Sequence, residues 1–315
     1  MSESPKFGWK VWLAFAIVYV VWGSTYLGIR YAIETLPPLL MAGTRFLIAG
    51  AILMIWSLLR NPERPTARQW RTALLLGAMM LLCGNGFVTL AEQRISSGLA
   101  ALLIASEPLW LVLLAWAAPQ GKRPRPLDFA GIAMGFAGVV LLIWPSGAGA
   151  LHTDLLGAAL VITAALSWAA GSIYGMTAPS PRSPVLSNGM TMLAGGALLF
   201  LSGLARGEAT AFRPAQVSTL SIAAFAYLSI FGSLVAFSAY TYLLGEAGPA
   251  RASTYAFVNP VVAVVLGWAL AGEPLSPRGV TAMAVIVVAV VLLTFRRGGH
   301  APAEPVPAVS ECAGD

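Results

Sequence analysis

Two charged side chains and two amides sit deep inside hydrophobic runs of this chain: Arg45, Glu107, Asn85 and Asn259. A charge at bilayer depth is costly, so such a residue pairs with another or faces a water-filled path. Two chemistries therefore fit. Glu107 contacts a cation or carries a proton along a solute path, or Arg45 and Glu107 neutralise each other as a fixed pair. Asn259 precedes Pro260, as Glu107 precedes Pro108. Each proline withholds a backbone donor and frees the carbonyl four residues back, that of Ile104 or Ala256. Pro108 and Pro260 are thus candidate helix kinks, and the Asn259 amide is placed to hydrogen-bond a solute. Trp22 and Tyr26 are spaced to share one helix face. Tyr174, Tyr240 and Tyr255 carry hydroxyls into apolar runs, where they need partners. Rings with a few polar groups suit an amphipathic organic solute, and they serve equally well as packing.

No catalytic residue is expected. The chain lacks a phosphate-binding Gly-Lys-Ser/Thr loop, a His-Glu-x-x-His and a Gly-x-Ser-x-Gly. His152 and His300 lie outside the apolar runs, so a histidine relay within the membrane is excluded. Cys83 and Cys312 have no partner at metal or disulfide spacing. Neither a metal nor a cofactor is implied.

The elements that must position these residues follow from composition. Of 315 residues, 58% are hydrophobic and 10% charged, with a mean hydropathy of +0.78. Soluble domains carry about 25% charged residues, so lipid is the solvent here. The net charge of +6 does not indicate nucleic acid, because the basic residues stand at the ends of apolar runs. About 20 helical residues cross a hydrocarbon core. Ten runs of that kind occur, near 10–30, 37–59, 70–91, 97–118, 127–145, 154–176, 185–204, 217–243, 249–271 and 277–295. The predicted fold is an all-α integral membrane protein of ten transmembrane helices. The tail, 298–315, is rich in Ala and Pro and reads as disordered and cytoplasmic.

Lys and Arg set the orientation. With the amino terminus in the cytoplasm, thirteen basic residues fall on that side and five on the other, with Arg45 inside a span. The bias places both termini in the cytoplasm of an inner-membrane, multi-pass protein. Small residues at Gly131, Gly135 and Gly138 line one side of the fifth run, which suits packing within the chain and is also compatible with a homodimer.

The chain resembles itself at an offset near 150 residues. Trp22-Gly-Ser-Thr-Tyr26 answers Trp168-Ala-Ala-Gly-Ser-Ile-Tyr174, Ala49-Gly50-Ala51 answers Ala194-Gly195-Gly196, and Glu107-Pro108 answers Asn259-Pro260. Each half, 10–145 and 154–295, holds five runs. Five is odd, so the second half enters from the opposite side, the inverted-repeat construction of secondary transporters.

These residues also resemble a known family. Trp22-Gly-Ser-Thr, Arg45-Phe, the Pro-containing fourth and ninth runs and Gly272-Glu273-Pro-Leu look like the EamA family of the drug/metabolite transporter superfamily. The resemblance covers nearly the whole chain except the tail. It implies two five-helix halves around a central cavity and alternating-access export of an amino acid, metabolite or amphipathic drug. Glu107 departs from the pattern, being an acid where a neutral residue is expected. A channel, a non-transporting scaffold and an integral-membrane enzyme stand as alternatives.

Overall fold

The computed structural model describes residues 8–60, 62–117, 126–143, 154–247 and 254–295. Trp144, His152, His300, Cys312 and the tail lie outside them. Helices account for the described residues' regular structure, with no strand among them. Seven are long and apolar enough to cross a membrane: α1 (Trp9–Ala32), α2 (Pro38–Arg60), α3 (Ala67–Ala91), α4 (Ser97–Ala117), α6 (Leu155–Thr177), α7 (Pro184–Ala205) and α8 (Thr219–Leu243). Three others are α5 (Pro126–Ile143), α9 (Tyr255–Ala271) and α10 (Pro277–Phe295). They hold shorter apolar stretches, Phe129–Leu141, Val258–Ala271 and Pro277–Ala289.

The outside of this bundle is apolar. Leu59 is 80% exposed, and Ile52, Ile55, Val265 and Trp268 are about half exposed. A soluble protein rarely leaves so much apolar surface uncovered. Lipid is the medium that such a surface fits, and helices are the elements that satisfy their own backbone there.

Helix starts are capped with some consistency, because the first N–H groups of a helix have no partner within it. Thr66 and Gln69 form a reciprocal capping box at α3. Ser183 and Ser218 cap α7 and α8. Asp154 accepts from the Gly157 N–H at 2.9 Å and pairs with Arg94 at 2.6 Å. Those contacts, the Gly157 N–H foremost, hold its carboxyl below the usual aspartate value.

Three glutamates reach across the chain to do the same work. The Glu208 carboxylate accepts from the N–H groups of Leu39 and Leu40, at 3.0 and 2.9 Å, at the start of α2. Glu63 accepts from Arg182 and Ser183, at 3.1 and 3.4 Å, just ahead of α7. Glu273 accepts from the N–H groups of Ser97 and Gly98 and from the Ser97 hydroxyl, at 2.8 to 2.9 Å, at the start of α4.

α2 and α7 run antiparallel, backbone to backbone. A Cβ on Gly43 would lie 2.6 Å from the Phe200 nitrogen and 2.9 Å from the Gly196 oxygen. One on Gly50 would lie 2.7 Å from the Leu193 nitrogen and 2.9 Å from the Gly189 oxygen. The reciprocal positions are as tight, with Gly196 against Leu47 and Gly189 against Met54. Small residues let two helices in lipid approach this closely. The glycine side of α5 is used within the chain too. Gly135 meets the Leu109 side chain of α4, and Gly138 meets Ile286 of α10.

The two proline sites differ. α4 is interrupted at Ala105–Ser106, where the Ser106 N–H and hydroxyl both turn back to the Leu103 carbonyl. Pro108 then stands second in a fresh helical stretch that begins at Glu107, a position that tolerates proline. Pro260 instead lies inside the continuous helix α9. Kinks were expected at both; the helix breaks just ahead of Pro108, and Pro260 stands within an unbroken run of helix.

Candidate functional site

A cavity with about 130 Å³ of free space lies at the centre of the bundle. Residues of α1, α2, α3, α4, α6, α8 and α9 line it, so both halves of the chain contribute. Its walls are locally unwound: α1 is π-helical over Val18–Trp22, α3 over Gly77–Gly86 and α8 over Leu228–Val235. Each stretch delivers wall residues, namely Trp22, then Leu81, Gly84 and Asn85, then Gly232 and Ser233. Widened turns of this kind are rare and frequently mark functional sites. The sequence hinted at them only through the glycines Gly77, Gly84, Gly86 and Gly232.

Seven of the nine sequence-predicted residues line this space: Trp22, Tyr26, Arg45, Asn85, Glu107, Tyr255 and Asn259. Tyr240 stands behind it, its ring 5.1 Å from Trp22 and 5.7 Å from Tyr255. Tyr174 does not reach it. It follows the wall residue Trp168 by six positions on α6, roughly 9 Å along the helix axis, and so lies beyond the cavity.

Arg45 and Glu107 share the cavity without touching. Arg45 is 3% exposed, and its Nη2 donates to the Asn85 Oδ1 at 2.8 Å. Its guanidinium also lies 4.3 Å from the centroid of the Phe46 ring, within cation–π range. No ion pair joins it to Glu107. The expected alternative of a fixed Arg45–Glu107 pair is therefore corrected: the short Asn85 side chain, one helix over, takes the guanidinium. Glu107 has no hydrogen bond or ion pair among the described residues. It is close enough to Tyr26, Tyr240 and Tyr255 to act on their hydroxyls electrostatically.

The aromatic wall is fixed by its own contacts. The Trp22 Nε1 donates to the Gly232 carbonyl at 3.2 Å. Its ring meets Tyr255 at 4.9 Å and Phe237 at 5.2 Å, both edge-to-face, the arrangement that aromatic quadrupoles favour. Across the cavity, a Cβ on Gly84 would lie 2.9 Å from the Trp168 ring. Each half thus sets a tryptophan against a glycine of the other. With its amide nitrogen turned toward the carbonyls, Asn259 donates to Tyr255 at 3.2 Å and to Tyr19 at 3.1 Å. It ties α9 to α1 beside Pro260 and is 7% exposed.

The model of the EamA-like transporter family matches residues 9–144 and again 155–295. The chain is 41% identical over 305 residues, 96% of its length and 95% of the relative's, to the uncharacterized inner membrane transporter YedA of Escherichia coli (strain K12). It is 27% identical over 272 residues, 82% of its length and 86% of the relative's, to a probable amino-acid metabolite efflux pump of the same organism. One solved crystal structure of a protein superposes with a TM-score of 0.60 at 23% identity, covering 92% of this chain and 99% of that one.

Proposed function

This chain belongs to the EamA-like transporter family, and from that premise we propose that it moves a small organic solute through the central cavity by alternating access. One observation carries the reading: Glu107 stands without a partner among the described residues in a cavity walled by both halves of the chain. An unpaired acid in that place binds a cationic group or a proton, and the rings around it accept the apolar part of the solute. Trp22, Tyr26 and Tyr255 supply that apolar wall, with Tyr240 holding Trp22 in place. Asn85, Arg45 and Asn259 supply polar contacts. The name of the efflux-pump relative supports outward transport of an amino-acid-like solute.

We read the architecture as ten crossings in two inverted halves. A shift of 146 residues carries Gly43 onto Gly189 and Gly50 onto Gly196, so the α2–α7 contact maps onto itself. The same shift carries Trp22 onto Trp168 and Pro38 onto Pro184. The crossed caps agree, since Glu63 of one half serves the start of α7 and Glu208 of the other serves the start of α2. Together with the bias of basic residues, this arrangement supports a reading with both termini in the cytoplasm.

Reconstitution into liposomes tests the function. Labelled amino acids and organic cations are offered with and without a pH gradient. The expected outcome is saturable flux of at least one solute, with Glu107→Gln cutting the rate about tenfold, the scale of one lost charge-assisted contact, and flattening its pH dependence. Absence of flux for every solute would sink the transporter reading. Full flux by Glu107→Gln, with the pH profile of the parent, would remove Glu107 from the path.

A further inference from the structure

A second buried acid lies outside the cavity. Glu92 stands one residue beyond α3, where a hydrophobic run has just ended, and an exposed loop residue is the natural expectation there. It is instead fully buried, at 0% exposure. Neither of its carboxyl oxygens has a hydrogen-bond partner among the described residues.

The charged groups that face it come from three elements: Arg30 of α1, Arg45 of α2 and Glu273 between α9 and α10. α6, which packs against the end of α3, carries no charged residue along its length. α4 begins there with Ser97, which is already bonded to Glu273. Each charged neighbour is engaged elsewhere. Arg30 donates its Nη1 to the backbone carbonyl of Glu92 itself, at 3.0 Å. Arg45 donates its Nη2 to Asn85, and Glu273 caps α4. The Arg45 Nε is buried and has no partner among the described residues.

An ionised carboxylate buried without hydrogen bonds is strongly disfavoured against its neutral form. The negative end of the α3 dipole works in the same direction. Position gives the site a use. On one side, Arg45 and Asn85 link it to the cavity that holds Glu107. On the other, a separate recess of about 270 Å³, lined by Arg30, Ile33, Glu34 and Gln93, abuts Glu92.

We propose that Glu92 is a proton-binding site, loaded in this conformation, which exchanges its proton with the recess beside Arg30 as the bundle switches. On release, the O–H bond breaks, its electron pair stays on the carboxylate and the proton passes to water in the recess. The carboxylate then accepts the free Nε–H of Arg45. This draws the guanidinium away from Asn85 and alters the cavity wall. Its purpose rests on the transporter reading, but its protonation does not.

Infrared difference spectroscopy of the full chain in lipid vesicles, titrated from acid to alkaline pH, tests it without any solute. The wild type is expected to show the carbonyl stretch of a protonated carboxylic acid at neutral pH. Glu92→Gln removes the Glu92 component of that band, and Glu107→Gln leaves that component in place. A spectrum with no such band at neutral pH, or one that Glu92→Gln leaves unchanged, overturns the proposal. Thermal melting gives a second readout. A carboxyl that stays protonated when folded loses stability as pH rises above the unfolded value, so the wild-type Tm falls toward alkaline pH and Glu92→Gln flattens the fall. Parallel curves for the two proteins overturn the proposal as well. Liposomes that move no solute would refute transport and leave both measurements standing.

Discussion

Among the described residues, Arg45 has one side-chain hydrogen bond, to Asn85, and one ring beneath it, while Glu107 has neither in the same cavity. The asymmetry separates their roles. A guanidinium is planar and always charged, so a single amide and an aromatic face can hold it in a set orientation. A lone carboxylate has no such hold and is available to a solute or a proton. The Asp154–Arg94 pair at the start of α6 makes the contrast clear, because there both partners are satisfied. Asp154 is bonded to Gly157 and to Arg94 at the surface. Its folded carboxyl sits below its unfolded value of about 3.9, so it contributes stability above that pH and loses it as acid protonates the folded form. Asp154→Asn keeps an acceptor for the Gly157 N–H and removes the charge. The expected result is a shallower loss of Tm below pH about 4 than in the parent, read by thermal melting in detergent. An identical acid limb would show that the Arg94 pair contributes nothing, as exposed pairs often do.

At the scale of the element, α2 and α7 set the terms because their backbones touch. Leucine at Gly43 has nowhere to go, since its Cβ alone would meet the Phe200 and Gly196 backbone. Overpacking a tight site costs about 1–3 kcal/mol, and backbone neighbours cannot rotate away. Gly43→Leu is therefore expected to lower Tm by several degrees, while leucine at Gly8, which has open space around it, leaves Tm unchanged. Equal Tm values for the two variants would mean that α2 and α7 do not pack as described. Seven elements of this kind were legible in the sequence, because a crossing is apolar for about 20 residues and breakers such as Pro37 and Pro62 fall between them. The gathering of Arg45, Asn85 and Glu107 was legible too, since each stands deep in an apolar run where a polar group needs a partner or a cavity. The π-helical turns were not, and the tryptophans that meet their glycines, Trp22 at Gly232 and Trp168 at Gly84, come from more than 80 residues away. Glu92 was missed for a related reason. The charged groups that face it belong to α1, α2 and the segment after α9, and nothing beside it in the chain announces them.

For the whole molecule, the deciding question is whether the two halves face opposite ways. The crossed caps make the question concrete. Glu63 and Glu208 lie at corresponding places in the two halves, each just after the second helix and each holding the first turn of the other half's second helix. If the halves were parallel, these two loops would share one side of the membrane, and α2 could not lie antiparallel to α7. With inverted halves they lie on opposite sides. Arg64 and Ala209 are exposed neighbours of the two glutamates and take no part in the caps. Cysteine placed at either position, in a chain with Cys83 and Cys312 replaced by serine, reports its side through a membrane-impermeant maleimide. The expected outcome is that Ala209→Cys reacts in intact cells and Arg64→Cys reacts only after the membrane is opened. Reaction of both from the same side would contradict the inverted arrangement. Alternating access by rocking the two halves would then lose its structural basis, because exchanging inward-open and outward-open states by one symmetric motion rests on two halves related by a pseudo-two-fold axis in the membrane plane.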